Sequence, residues 1–142
     1  MAVDEFGRAV ESLAARTPAP GTVARVGLGL MVLLAGAHKL LDPGAWTVYV
    51  VDWLEPLIVV SPTTFMLANG WLELAFGLAL VVDRYTAVAA FVAAVSLSAT
   101  VGYLTVVWLT AGLFGDIVAR DVGLAALAWA VTVDAVRRNA AA

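Results

Sequence analysis

Apolar residues run along this chain in long stretches broken by short polar interruptions. A helix needs about 20 mostly apolar residues to cross the hydrocarbon core of a bilayer. Four stretches reach or approach that length: residues 22–41, 63–82, 85–109 and 117–136. The pattern predicts an all-α membrane protein, a four-transmembrane-helix bundle filling residues 22–136 as one domain. Asp83-Arg84 alone divides spans two and three, which should therefore form a tight antiparallel hairpin.

The polar interruptions have patterns of their own. Asp42-Pro43 and Ser61-Pro62 each read as a helix N-cap followed by proline at the first helical position. Beyond Pro43, residues Trp46, Tyr49, Val50, Trp53, Leu54 and Leu57 recur at helical spacing, with Asp52 and Glu55 elsewhere on the wheel. This predicts a short amphipathic interfacial helix between spans one and two, anchored by its Trp and Tyr side chains. In residues 1–21, Val3, Phe6, Val10 and Leu13 share a helical face, so a second surface helix is expected there, joined to span one by TPAPG. Residues 137–142 form a polar tail.

Composition narrows the class. The chain is 63% hydrophobic and 13% charged, against about half and about a quarter in a soluble domain. Its net charge of −3 leaves no basic surface for nucleic acid. The excess of acidic over basic residues hints at a high-salt, archaeal-type host. The absence of cysteine excludes disulfides, thiolate metal sites and a thiol relay within the chain. A single histidine without a cysteine makes a poor metal site, so no metal is expected. The first residues are too polar for a signal-peptide core, so span one should drive insertion.

Charge also sets orientation. With four crossings, Arg8, Arg16, Arg25, Arg84, Arg137 and Arg138 fall on one side, while residues 42–62 and 110–119 carry only acidic charges. Basic residues stay inside, so a multi-pass protein of the cell membrane with both termini cytoplasmic is expected.

Ionisable groups within spans are rare and mark candidate sites. Glu73 is the hardest to dismiss: it lies roughly 15 Å into span two, near the midplane. Asn69 precedes it by one turn, and Gly70 and Gly77 flank that face, so another helix can approach it closely. Lys39 shares a stripe with Gly29, Val32 and Gly36 in span one, and is the natural partner for Glu73. Arg120 sits at similar depth in span four, beside Asp121, and could instead pair with Asp116. Ser96, Thr100 and Tyr103 form a polar stripe on span three. Lys39, Asn69, Glu73, Tyr103 and Arg120 are therefore the expected polar cluster in the outer half of the bundle, with His38, Thr100 and Asp121 secondary. No partner for His38 is legible, and Arg25 and Asp134 lie near the span ends, within reach of water.

Three motifs carry a family resemblance: HKLLDP closing span one, NGWLELAFGLAL in span two and RDVGLA opening span four. In these the chain resembles the DoxX family of small four-helix membrane proteins, over about residues 22–136. The resemblance implies a redox setting linked to quinones, without supplying a catalytic residue, since thiol chemistry is closed to this chain. With no intrinsic cofactor, it would act as an accessory or subunit of a quinone-linked membrane system. A quinone headgroup or a small oxyanion would then occupy the polar cluster. A small-solute or lipid carrier and a structural scaffold of a larger complex are the other readings. The expected partners are membrane lipids and either further copies of the chain or a membrane complex.

Overall fold

The computed structural model describes residues 2–141, with side chains described from Glu5 to Ala141. All of its regular elements are helical. They are α1 (Ala2–Ala14), α2 (Pro20–Leu41), α3 (Gly44–Thr47), α4 (Pro62–Val81), α5 (Thr86–Ala111) and α6 (Gly115–Ala140), with a 3-10 turn at Glu55–Leu57. The four long helices coincide with the four apolar stretches. Three of them, α2, α4 and α5, are long and apolar enough to cross a membrane. The fourth, α6, has the length but carries Asp116, Arg120, Asp121, Asp134, Arg137 and Arg138.

Local sequence explains the helix starts. Ser61 caps α4, its hydroxyl accepting from the Thr64 N–H at 3.2 Å, with Pro62 at the first position. Pro20 opens α2 in the same way but without a side-chain cap. Gly112, at φ 71°, ends α5 in the left-handed conformation that glycine adopts without cost.

The long helices pack as two intimate pairs, α2 with α4 and α5 with α6. Glycine explains the first pair. A Cβ on Gly36 would stand 2.8 Å from the Gly70 carbonyl oxygen, and one on Gly77 would stand 3.0 Å from that of Gly29. Two backbones thus meet at two levels where only hydrogen fits. In the second pair alanine does similar work: Ala90, Ala94, Ala128 and Ala135 are almost wholly buried. The Trp129 indole N–H also donates across this pair to the Ser98 hydroxyl at 3.1 Å. The pairs meet in a core of Leu28, Val32, Leu80, Ala89, Ala93 and Val131. That core occupies the half of the bundle nearest the start of α2 and the end of α6.

The same end carries a charged clasp. Buried Arg25 donates from its guanidinium to the Leu80 carbonyl and, at 2.9 Å, to that of Val81. It therefore satisfies the last carbonyls of α4, where the helix dipole favours a cation. It also pairs with Asp83 at 3.4 Å. Asp83 accepts from the Thr86 hydroxyl at 2.6 Å and from Arg138 at 3.2 Å, and Arg138 reaches Asp134 at 3.1 Å. Every long helix is thereby tied at one end through the α4–α5 turn. Arg25 was expected to reach water; instead it is enclosed, because the α4 carbonyls offer acceptors that its long side chain can reach.

Two expectations for the surface segments fare differently. The α1 helix forms, and Phe6, Val10 and Leu13 are exposed along it; the side chain of Val3 lies outside the described residues. The interfacial helix expected from residues 43–57 does not form as one element. A single turn, α3, is followed by irregular backbone and the 3-10 turn. The reason is a tertiary contact. The Tyr103 hydroxyl of α5 donates to the Tyr49 carbonyl at 2.6 Å and accepts from the Val51 N–H at 3.3 Å. Backbone groups that a helix would have paired internally are taken by that side chain, and Pro56 removes a further donor.

Candidate functional site

Away from the clasp, a partly open cavity lies between the two helix pairs. It has two adjoining lobes, of about 400 Å³ and about 180 Å³. Both lobes are walled by Lys39 of α2, Trp46 of α3, Asn69 and Glu73 of α4, Ser96 and Thr100 of α5, and Arg120 and Asp121 of α6. The larger lobe extends toward Tyr49, Leu54 and Tyr103. The smaller one runs down toward the core past Met31, Phe76, Val92 and Leu97, and is mainly apolar.

Two ion pairs face each other across this space. Lys39 is buried and its ammonium pairs with Glu73 Oε1. The Gly36–Gly70 contact one turn away brings α2 and α4 close enough for this. The ammonium also stands 4.4 Å from the centre of the Trp46 ring, within range for a cation–π contact. Glu73 Oε2 is buried and has no hydrogen-bond partner among the described residues. On the other side Arg120 Nε donates to Asp121 Oδ1 at 2.8 Å. Asp121 is buried, whereas the Arg120 side chain is 58% exposed.

The expected cluster residues all line the larger lobe, but they are engaged differently. Lys39 meets Glu73 directly. Arg120 pairs with its neighbour Asp121 and with neither Glu73 nor Asp116. Asn69 donates its side-chain amide N–H to the Phe65 carbonyl of its own helix at 2.9 Å. Thr100 donates to the Ser96 carbonyl of its own helix at 3.0 Å. Tyr103 spends its hydroxyl on the loop. His38, expected to lack a partner, accepts from the Trp46 indole N–H through Nδ1 at 2.7 Å. Among the described residues no group of His, Asp and Glu is arranged to hold a metal.

Trp46 is the wall residue that sequence reasoning did not place in the site. The signal was present in Asp42-Pro43. The Asp42 carboxylate accepts from the Ala45 N–H at 3.2 Å, and this turn folds Trp46 back over His38 and Lys39.

Comparison with known proteins adds one finding. Residues 21–109 match the family model described as DoxX. No curated protein and no solved structure matches.

Proposed function

Because the chain belongs to the DoxX family of membrane proteins, we propose that it is a four-span subunit of a quinone-linked redox system, holding a quinone headgroup in the cavity between its helix pairs. The observation that carries this reading is the buried, unpartnered Oε2 of Glu73 beside the Lys39 ammonium. A buried acceptor without a donor costs about 1–3 kcal/mol or more when charged. A ligand hydroxyl offered to Oε2 removes that cost. Quinones present carbonyl acceptors when oxidised and hydroxyl donors when reduced. Lys39 and Arg120 supply donors to the first form, and Glu73 supplies an acceptor to the second.

Charge balance selects against an oxyanion. Each cation of the cavity already has its own carboxylate, Glu73 for Lys39 and Asp121 for Arg120. A neutral ligand therefore meets no uncompensated field, whereas an anion would confront two carboxylates. The apolar lower lobe suits the adjoining tail of such an amphiphile. Glu73, a carboxylate at the wall of the ligand space, would take or return the proton that accompanies quinone reduction.

In this reading α6 is the fourth crossing, since Val122–Val133 holds no charged residue. Arg25, Arg84, Arg137 and Arg138 then gather on the cytoplasmic side of the cell membrane. The chain has no cysteine or haem-ligand pair to carry electrons, so a partner subunit would hold the redox cofactor.

Binding of the reduced form, decylubiquinol, to the purified protein, followed by tryptophan fluorescence, tests the proposal, because only that form offers the hydroxyl that Glu73 Oε2 would accept from. Glu73→Gln should weaken binding about tenfold, the worth of one charge-assisted hydrogen bond, while Glu55→Gln leaves it unchanged. Equal binding by Glu73→Gln and the wild type would overturn it.

A further inference from the structure

One contact at the cavity wall remains without a role. His38 lies at the end of α2, exposed, with its Nδ1 accepting from the Trp46 indole N–H at 2.7 Å. Trp46 in turn walls both lobes and presents its ring to the Lys39 ammonium. The three side chains form a chain of contacts running from the exposed surface to Glu73.

We infer that His38 is a positioning residue for the cavity: its neutral imidazole holds Trp46 against Lys39, and its protonation releases that wall. The inference rests on the cavity being the ligand site, and it names a regulator of that site.

The chemistry leaves little freedom. An indole N–H can only donate. Neutral imidazole offers one acceptor nitrogen, and here that nitrogen is Nδ1. The imidazolium has none, because both nitrogens then carry protons. Protonation thus turns an N–H···N bond into two donors facing each other at 2.7 Å, and the indole has to move. It also sets a second positive charge beside Lys39, its neighbour in sequence, whose own contacts are the Trp46 ring and Glu73. Movement of Trp46 removes the face that holds the ammonium and opens the wall shared by the two lobes.

The charged and titratable groups around this relay are few. Lys39 and Asp42 share the end of α2, and Asp42 is committed to the Ala45 N–H. Tyr49 meets the Trp46 ring edge-on, at 6.1 Å between centroids. Glu73 of α4, Tyr103 of α5, and Arg120 and Asp121 of α6 face Trp46 across the cavity. None of these is an imidazole, and His38 is the only one in the chain.

Protein with ¹⁵N-labelled tryptophan, in lipid nanodiscs, tests the inference without any ligand, the Trp46 indole resonance being identified by its loss in Trp46→Phe. In the wild type that resonance should shift in one transition as the pH is lowered from about 8 to about 5. In His38→Gln, which keeps an acceptor carbonyl but cannot titrate, it should stay near the neutral position. In His38→Phe it should sit at the released position throughout. A wild-type resonance that does not move, or one that moves equally in His38→Gln, overturns the inference.

Decylubiquinone binding is the second arm. It should weaken about tenfold from pH 8 to pH 5 in the wild type, one hydrogen bond's worth, and hold steady in His38→Gln. If the resonance titrates but decylubiquinone binds at neither pH, the positioning role stands and the quinone reading falls. If binding weakens equally in His38→Gln, the regulatory role of His38 is overturned.

Discussion

Glu73 and Lys39 illustrate what a charge costs inside an apolar bundle. The Glu73 side chain is 27% exposed and that of Lys39 11%, so neither is solvated as in water. Removing one partner leaves the other uncompensated, and that penalty exceeds the net worth of the intact pair. We expect Lys39→Met and Glu73→Leu each to destabilise the protein by about 2–4 kcal/mol, toward the low side of the range for buried pairs because the cavity admits some water. The double variant should recover most of that loss. Thermal unfolding in one detergent measures all three; a double variant as weak as the sum of the singles would contradict the pairing. The residue types and depths of this pair are legible in the sequence. The orphaned oxygen of Glu73 is not, because it depends on which of two carboxylate atoms the lysine reaches.

Among the helices, α2 and α4 depend on glycine at their crossing. Gly36→Ala places a methyl carbon 2.8 Å from the Gly70 carbonyl oxygen, a backbone atom that cannot turn aside. The helices must separate, at about 1–3 kcal/mol, and the Lys39–Glu73 pair one turn away is stretched with them. Gly27→Ala, on the same helix with nothing within 4 Å, should be neutral or stabilising by up to about 1 kcal/mol. A lowered unfolding temperature for Gly36→Ala alone checks the packing; equal effects would refute it. The small-residue face was readable from the spacing of Gly29, Gly36, Gly70 and Gly77. The fate of residues 43–57 was not. Their helical periodicity is real, but the Tyr103 hydroxyl, 52 positions from Val51, claims the backbone.

For the molecule as a whole, the Asp83 clasp and the cavity lie at opposite ends. The clasp joins all four long helices, so it sets how the two pairs meet. The hydrogen bond from Thr86 and that from Arg138 hold the Asp83 carboxyl below the ordinary carboxylate value, with the Arg25 charge adding to them. The same bond raises Arg138 above the ordinary guanidinium value. A carboxyl depressed by folding contributes stability that is present above its unfolded-state value and is lost as pH falls through its folded-state value. Acidification below the ordinary aspartate range, near 3.8, should therefore loosen the clasp. The unfolding temperature of the wild type should fall over that interval, and that of Asp83→Asn should fall less. Matching acid profiles for the two proteins would show that the clasp does not join the pairs.

The sequence by itself determined the helical architecture, because continuous apolar stretches and cap-then-proline signals are local and act through the backbone. It determined also which charges are buried at depth, since a helix has no other place to put Glu73. Tertiary structure decided the partners. It enclosed Arg25 on the carbonyls of α4 and gave His38 the indole of Trp46. Each of these is a choice among acceptors or donors brought together only when two elements meet, and helical periodicity does not encode that meeting.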